Sequence, residues 1–339
     1  MNDWTGSVES NTIAITIDKN DRYRTKTSGE WDNPSTWEKF DGTQWVDATE
    51  YPSSASISCP NSVASIQNGH TVELDTNIEF GNVVVDEGGI LEINDGAELG
   101  IVANDTLTIN GKLIMHAASL VSGAGTFDLK PLSTIHVGSA QGITASAPEG
   151  NIQVSGERHY GQDANYVYIG TTNQQTGDGF TQNTPGNLTI NAPGVTVTLS
   201  QEININGSIH ILQGTLDVNG FNISLGGNWI NDDVFLPGTA TVYFNNTIDV
   251  SIGVSNFYNI VIAGSDTVTA AGNLTIYGEI TINNFFNGAS FTHFVYGNWI
   301  SSGSYIYGTS TIQFMGSGNI FISVSNFYNI VFAGTEQEL

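Results

Sequence analysis

SNFYNIVIAG occupies residues 255–264, and SNFYNIVFAG occupies residues 325–334. Nine of ten positions agree, and the copies lie about 70 residues apart. The same offset persists outside the decapeptide. GNWI at 227–230 returns at 297–300, and GTATVYF at 238–244 returns as GTSTIQF at 308–314. Small shifts extend the match upstream, where INING (203–207) aligns with LTIYG (274–278) and GNLTI (186–190) with YNIVI (258–262). One unit therefore spans 187–258, a second 259–328, and a third begins at 329 and is truncated in 329–339. Self-similarity of this kind marks a stacked array in which each unit buries its apolar face on the next.

The first unit contains short segments of alternating polarity: NLTI, VTVTL, INI, SIHI, TLDV, NISL, NWI, ATVYF and IDVSI. Alternation sends every second side chain to one face, the signature of a half-buried strand. Gly and Asn, which tolerate positive φ, commonly sit between the segments. Nine strands divide into three coils of three, at roughly 23 residues per coil. The predicted fold is all-β, a right-handed parallel β-helix with an N-terminal cap. The competing architecture is a row of tandem β-sandwich repeats, since a unit of about 70 residues suffices for a small sandwich. Recurrent hairpin turn signals, which a sandwich needs, are missing.

Three-coil stacking makes geometric demands. Tyr258 and Tyr328 are expected on one side of the solenoid, roughly 14–15 Å apart at three strand spacings. Ile260 is expected over the same core column as Ile330, Phe257 and Phe327 in equivalent sites, and Asn256 and Asn326 at corners.

The rest of the chain has a similar texture without the strict period. Residues 51–160 read as irregular β-helix coils, and 161–339 as the regular solenoid. Residues 1–50 form an N-terminal segment with a Trp-rich stretch, GEWDNPSTWEKFDGTQW at 29–45. A solenoid needs its open edge covered, so Trp31, Trp37 and Trp45 are read first as a cap. Tryptophan faces are also good platforms for sugar rings, which makes the same three residues the candidate ligand-binding site.

Eight basic residues stand against 33 acidic ones, a formal net charge of −25, and none of the basic residues lies beyond Arg158. Such a field repels phosphate backbones and anionic lipid heads, so nucleic acid is excluded as a partner. No stretch approaches the ~20 apolar residues of a membrane span, and no direct membrane insertion is expected. Cys59 is the only cysteine, so no intramolecular disulfide forms. The start, MNDWTGSVES, lacks a basic region followed by an apolar core, so no signal peptide is read here.

SGEWDNPSTWE, followed by YPSSASISCPNSVASIQNGHTVELD and GGILEI, resembles the start of secreted β-helix proteins of Bacteroidetes-type bacteria, many of them adhesin-like and exported by type IX secretion. The GNWI…GTATVYF…SNFYNIVI unit resembles their repeats. The resemblance covers the chain from about Lys26, and its motifs are structural. It implies a large multi-repeat surface protein continuing into further units, secreted or held at the cell surface, with an unknown surface glycan or protein as its partner. It also lends meaning to Thr106 and Thr267, which lie in Asp-Thr-Leu and Asp-Thr-Val tripeptides like the O-glycosylation sequence of these bacteria.

No catalytic residues are assigned. β-Helix lyases use a basic residue as base beside a calcium-holding carboxylate cluster, and no Lys or Arg exists after Arg158. Hydrolases need converging carboxylates. The 11 acids from 159 onward are widely spaced and not kept between repeats: Asp232 and Asp233 become Ser302 and Gly303. His70, His116, His136, His159, His210 and His293 show no metal-ligand spacing, so no metal site is expected. Asp86, Glu87 and Asp95 invite a calcium reading. Neither the twelve-residue calcium loop nor the Gly-rich nonapeptide repeat is present, and no cofactor is expected. The leading expectation is a non-enzymatic structural or adhesive module. The alternative is carbohydrate binding or processing through the N-terminal Trp region.

Overall fold

A computed structural model describes residues 21–54, 62–146, 148–180, 183–323 and 325–334. Lys19 and Cys59 lie outside them. The chain is all-β, a right-handed parallel β-helix of about 13 turns. One face is a continuous 15-stranded sheet. The other two carry an 8-stranded and a 3-stranded sheet in the N-terminal half, then a 6-stranded and a 5-stranded sheet in the repeat region. Among the described residues, antiparallel pairing is confined to the cap, where Tyr23 opposes Lys39 and Lys39 opposes Val46. Tandem sandwiches are thereby excluded.

Strands are short and alternate half-buried with buried positions, as in Val63–Ile66 and Ile90–Ile93. The inward residues stack in register. Val72, Leu91, Leu113, Ile135, Tyr166, Leu188, Ile209, Trp229 and Ile252 form one buried column along the 15-stranded face. Each aliphatic member contributes about 1.5–3 kcal/mol by leaving water. Backbone hydrogen bonds run between turns, so the column and the ladder reinforce each other.

The pitch is shorter than the sequence suggests. Ile223 pairs with Val242, Val242 with Ile260, Ile260 with Ile280, and Ile280 with Trp299. On this 6-stranded face each turn thus takes 18–20 residues rather than roughly 23. The repeat therefore covers about three and two-thirds turns and not three. Two strands carry no clear signal in the sequence, Val234–Leu236 and Ser255–Phe257. Two others are longer than expected. NLTI and VTVTL are both part of Leu188–Thr198, and SIHI and TLDV both fall largely in Ile209–Asp217. Gly194 and Gly214, at φ 71° and 100°, let those strands bend round a corner.

Because the repeat is not a whole number of turns, its copies do not stack. Ile260 lies on the 6-stranded face and is buried, whereas Ile330 pairs with Ile312 on the 5-stranded face and is exposed. Tyr258 and Tyr328 precede those two strands, so they stand on different sides, not one above the other. Phe257 and Phe327 do hold equivalent places, each against the tryptophan of its own unit, Phe257 fully buried and Phe327 half-buried. Asn256 is the exposed middle residue of Ser255–Phe257 instead of a corner. Asn326, also exposed, lies outside any strand.

What recurs from unit to unit is an aromatic cluster. Trp229, Phe235 and Phe257 have ring centroids 4.6–5.7 Å apart, and the Trp229 indole donates to Ser255 Oγ at 2.8 Å. Trp299, Tyr305 and Phe327 repeat this at 4.8–5.8 Å, with Trp299 donating to Ser325 Oγ at 3.1 Å.

The coils before the repeats carry an insertion after Phe127. Phe127 pairs with Arg158 and Ile135 with Tyr166, steps well beyond one ordinary turn. The extra chain folds back so that Ile152 bridges Val121. Tyr160, Tyr166, Tyr168 and Phe180 fill the core here, and the Tyr168 hydroxyl donates to Thr176 O at 2.6 Å.

Candidate ligand-binding surfaces

The cap decides the fate of the three tryptophans. Asn33 caps the short 3-10 turn Pro34–Thr36, which delivers Trp37 beneath Trp31. Both rings are 0% exposed and meet edge to face at 5.1 Å. Their indole N–H groups are also used inside the protein, Trp31 donating to Pro52 O and Trp37 to Trp31 O, both at 2.8 Å. Neither face is open to a sugar, which corrects the platform reading for Trp31 and Trp37. Trp45 is half-buried, but the Arg24 guanidinium lies 4.4 Å from its centroid and Phe40 packs beside it at 5.4 Å. Its face is already occupied by a cation.

The same cap concentrates charge. Lys39 bridges Asp21 at 3.1 Å and Glu50 at 2.8 Å, over the Tyr23 ring. Burial works against the ammonium, yet the bonds from Glu50, Tyr23 and Asp21 outweigh it and hold Lys39 well above the usual amine range. Glu50 is held below the usual carboxylate range by its hydrogen bond to Lys39.

The remaining candidates are scattered. Thr106 and Thr267 are half-buried on the outer surface, Thr106 opening the strand Thr106–Ile109 and Thr267 preceding Val268–Ala270. Their amides donate to Asn82 Oδ1 and Asp249 Oδ1. Asp86 accepts from Ser65 Oγ at 2.8 Å, and Asp95 accepts from the Ala118 amide at 2.8 Å. The acids thus serve turns separately. Each of four histidines has its own partner: His70 with Thr25, His116 with Glu92, His159 with Glu157, His210 with Asp232. Among the described residues, no three His, Cys, Asp or Glu side chains come together as a metal site. His293 is buried, with Nε2 on Gly288 O at 3.1 Å and Nδ1 without a partner. Burial pushes it below the usual imidazole range. His136, half-buried beside Lys112, is pushed down to about 4 by burial first and the lysine second.

One surface feature lies outside the sequence reading. Phe257, Ile276 and Val295 are in register on three successive turns, which places Tyr258, Tyr277 and Tyr296 in a ladder at the following corner. The Tyr277 and Tyr296 rings lie 5.4 Å apart at 42° and are 47% and 39% exposed. Beside them a groove of about 510 Å³ runs over the outer surface of the 6-stranded face, with Tyr243 also on its wall. The available signal is the Tyr-Gly pair at 277–278 and again at 296–297, one turn apart. A longer assumed turn hides it.

No protein-family model, curated protein or solved structure matches the chain. What the fold defines is the class, a right-handed parallel β-helix.

Proposed function

We propose that this chain is a non-enzymatic structural or adhesive β-solenoid module of a large secreted or cell-surface bacterial protein, of the adhesin-like, type IX-exported kind that its sequence resembles. The observation that carries this reading is the recurrent cluster. Trp, aromatic, Phe and Ser return together in the second unit, all of them pointing into the solenoid. The outward acids turn over between the copies. Asp232 serves His210, and Asp233 accepts from the Gly214 amide at 2.6 Å; the second copy has Ser302 and Gly303 there. Repetition preserves the rod and not a set of reacting groups, as expected of a spacer or a presenting scaffold.

Two measurements test it. Purified protein incubated with a panel of plant, algal and microbial polysaccharides is expected to release no reducing ends and to form no unsaturated product. Antibody against the protein is expected to label intact cells of the source organism. Protein-dependent, saturable product formation, or labelling only after lysis, overturns the proposal.

A further inference from the structure

Gly278 and Gly297 follow the second and third tyrosines of the ladder. A Cβ at Gly297 would lie 2.1 Å from Gly278 O, and one at Gly278 would lie 2.3 Å from Asn259 Oδ1. The glycines let successive turns pass close together at this corner beside the groove, and a side chain there would not fit.

The groove wall is preorganised. Glu279 accepts from Thr281 Oγ1 at 2.9 Å through one oxygen and from Asn298 Nδ2 at 3.2 Å through the other. Asn259 Oδ1 accepts from the Glu279 amide at 2.8 Å. These side chains are held by one another before any ligand arrives, which lowers the ordering cost of binding. Fixed carboxylate and amide oxygens, with an adjacent amide and hydroxyls, suit a partner that both donates and accepts hydrogen bonds. The tyrosines add rigid, amphipathic surface at small entropic cost.

Charge selects among such partners. Glu279 is the only ionised side chain among the residues lining the groove, and no lysine or arginine occurs anywhere after Arg158. Uronates, sulfated glycans and phosphorylated polymers meet an acidic surface with no counter-charge. An uncharged polyol with flat C–H faces meets none of that repulsion. Three tyrosines at successive turns span roughly 10 Å, two spacings of ~4.8 Å, along the solenoid axis.

We propose that this groove and the tyrosine ladder along its edge together bind a neutral polysaccharide chain laid along the solenoid axis, its sugar faces against Tyr258, Tyr277 and Tyr296 and its hydroxyls bonded to Asn259, Glu279 and Thr281. This rests on the adhesive reading and supplies its ligand class.

Affinity gel electrophoresis tests it with hydroxyethyl cellulose, laminarin, xylan and galactomannan in the gel, and polygalacturonate as the charged probe. At least one neutral polymer is expected to retard the wild-type chain, and polygalacturonate is not. Tyr277→Ala with Tyr296→Ala should weaken retardation at least tenfold, while Tyr307→Ala, an exposed tyrosine at a different corner, after Ser304–Ile306, should not change it. Thr281→Val removes one wall hydroxyl with little change of shape and should weaken retardation severalfold, which keeps the test decisive if the double variant melts early. Retardation by polygalacturonate alone, by no polymer, or unaltered in both the double-tyrosine and the Thr281 variants overturns the proposal. Such a failure leaves the non-enzymatic surface module standing, because that reading is judged by product release and cell labelling.

Discussion

Trp229 and Trp299 are equivalent residues of two repeats, yet they stand on different faces of the solenoid. Trp229 pairs with Ile209 and Ile252 on the 15-stranded face, and Trp299 pairs with Ile280 on the 6-stranded face. Their ring neighbours are equivalent too, Phe235 and Phe257 for the first, Tyr305 and Phe327 for the second. A repeat of about three and two-thirds turns hands its aromatic cluster to the next face around. The bulky rings are thereby spread round the prism instead of being piled on one side.

The two clusters share no residue, so they should be energetically independent. Trp229→Ala is expected to cost about 3–5 kcal/mol, as for other buried Trp truncations. Trp299→Ala should cost less, because its partner Phe327 is only half-buried. The double variant should lose the sum to within about 0.5 kcal/mol in urea titrations. A strong departure from additivity would mean that the clusters communicate along the core.

The cap makes a different prediction. Trp37→Ala removes the ring beneath Trp31 and should cost about 3–5 kcal/mol. Trp37→Phe loses chiefly the bond to Trp31 O, worth about 1 kcal/mol. Beneath the cap lies the first parallel coil, where Arg22 pairs with Val63. Uncovering that edge in Trp37→Ala should produce dimers or larger species in light scattering after size exclusion. A monodisperse, equally stable variant would show that the edge needs no cover.

Acid should act through the imidazoles. His293 and His136 are held neutral in the fold, His136 down to about 4, whereas an unfolded chain protonates both near 6.5. Below about pH 6.5 the unfolded state binds more protons, so stability is expected to fall from there toward pH 4. His293→Leu removes one such group together with its unpartnered Nδ1, and should flatten that slope in urea midpoints measured from pH 7 to 4.5. An unchanged slope would exclude His293 as a contributor.

Chelation is expected to leave the melting temperature where it is. Asp86, Glu87 and Asp95 sit at turns, and Asp86 and Asp95 already accept from Ser65 and the Ala118 amide. A drop of several degrees on adding excess EDTA would assign a structural calcium site to the corners.

Period-2 alternation, Gly and Asn punctuation and the echo of SNFYNIV are enough to point to a parallel β-helix. These are local signals, since a side chain's alternation and a glycine's freedom need no distant partner. The pitch is not local. Val234–Leu236 and Ser255–Phe257 have no pattern stronger than the turns beside them, and they become strands only by pairing with or packing on the coil before or after. Without those two strands, three and two-thirds turns look like three, and the expectations that Tyr258 and Tyr328, or Ile260 and Ile330, share a face fail with that error. The fate of Trp31, Trp37 and Trp45 is undecided in the sequence for a related reason. A tryptophan in a polar stretch looks the same whether its ring is buried under a neighbour or open to a ligand, and only the packing of the cap against the first coil chooses. The tyrosine ladder is the reverse case. Its residues are plain in the sequence, but Tyr258, Tyr277 and Tyr296 become one surface only because the length of a turn equals the spacing between them.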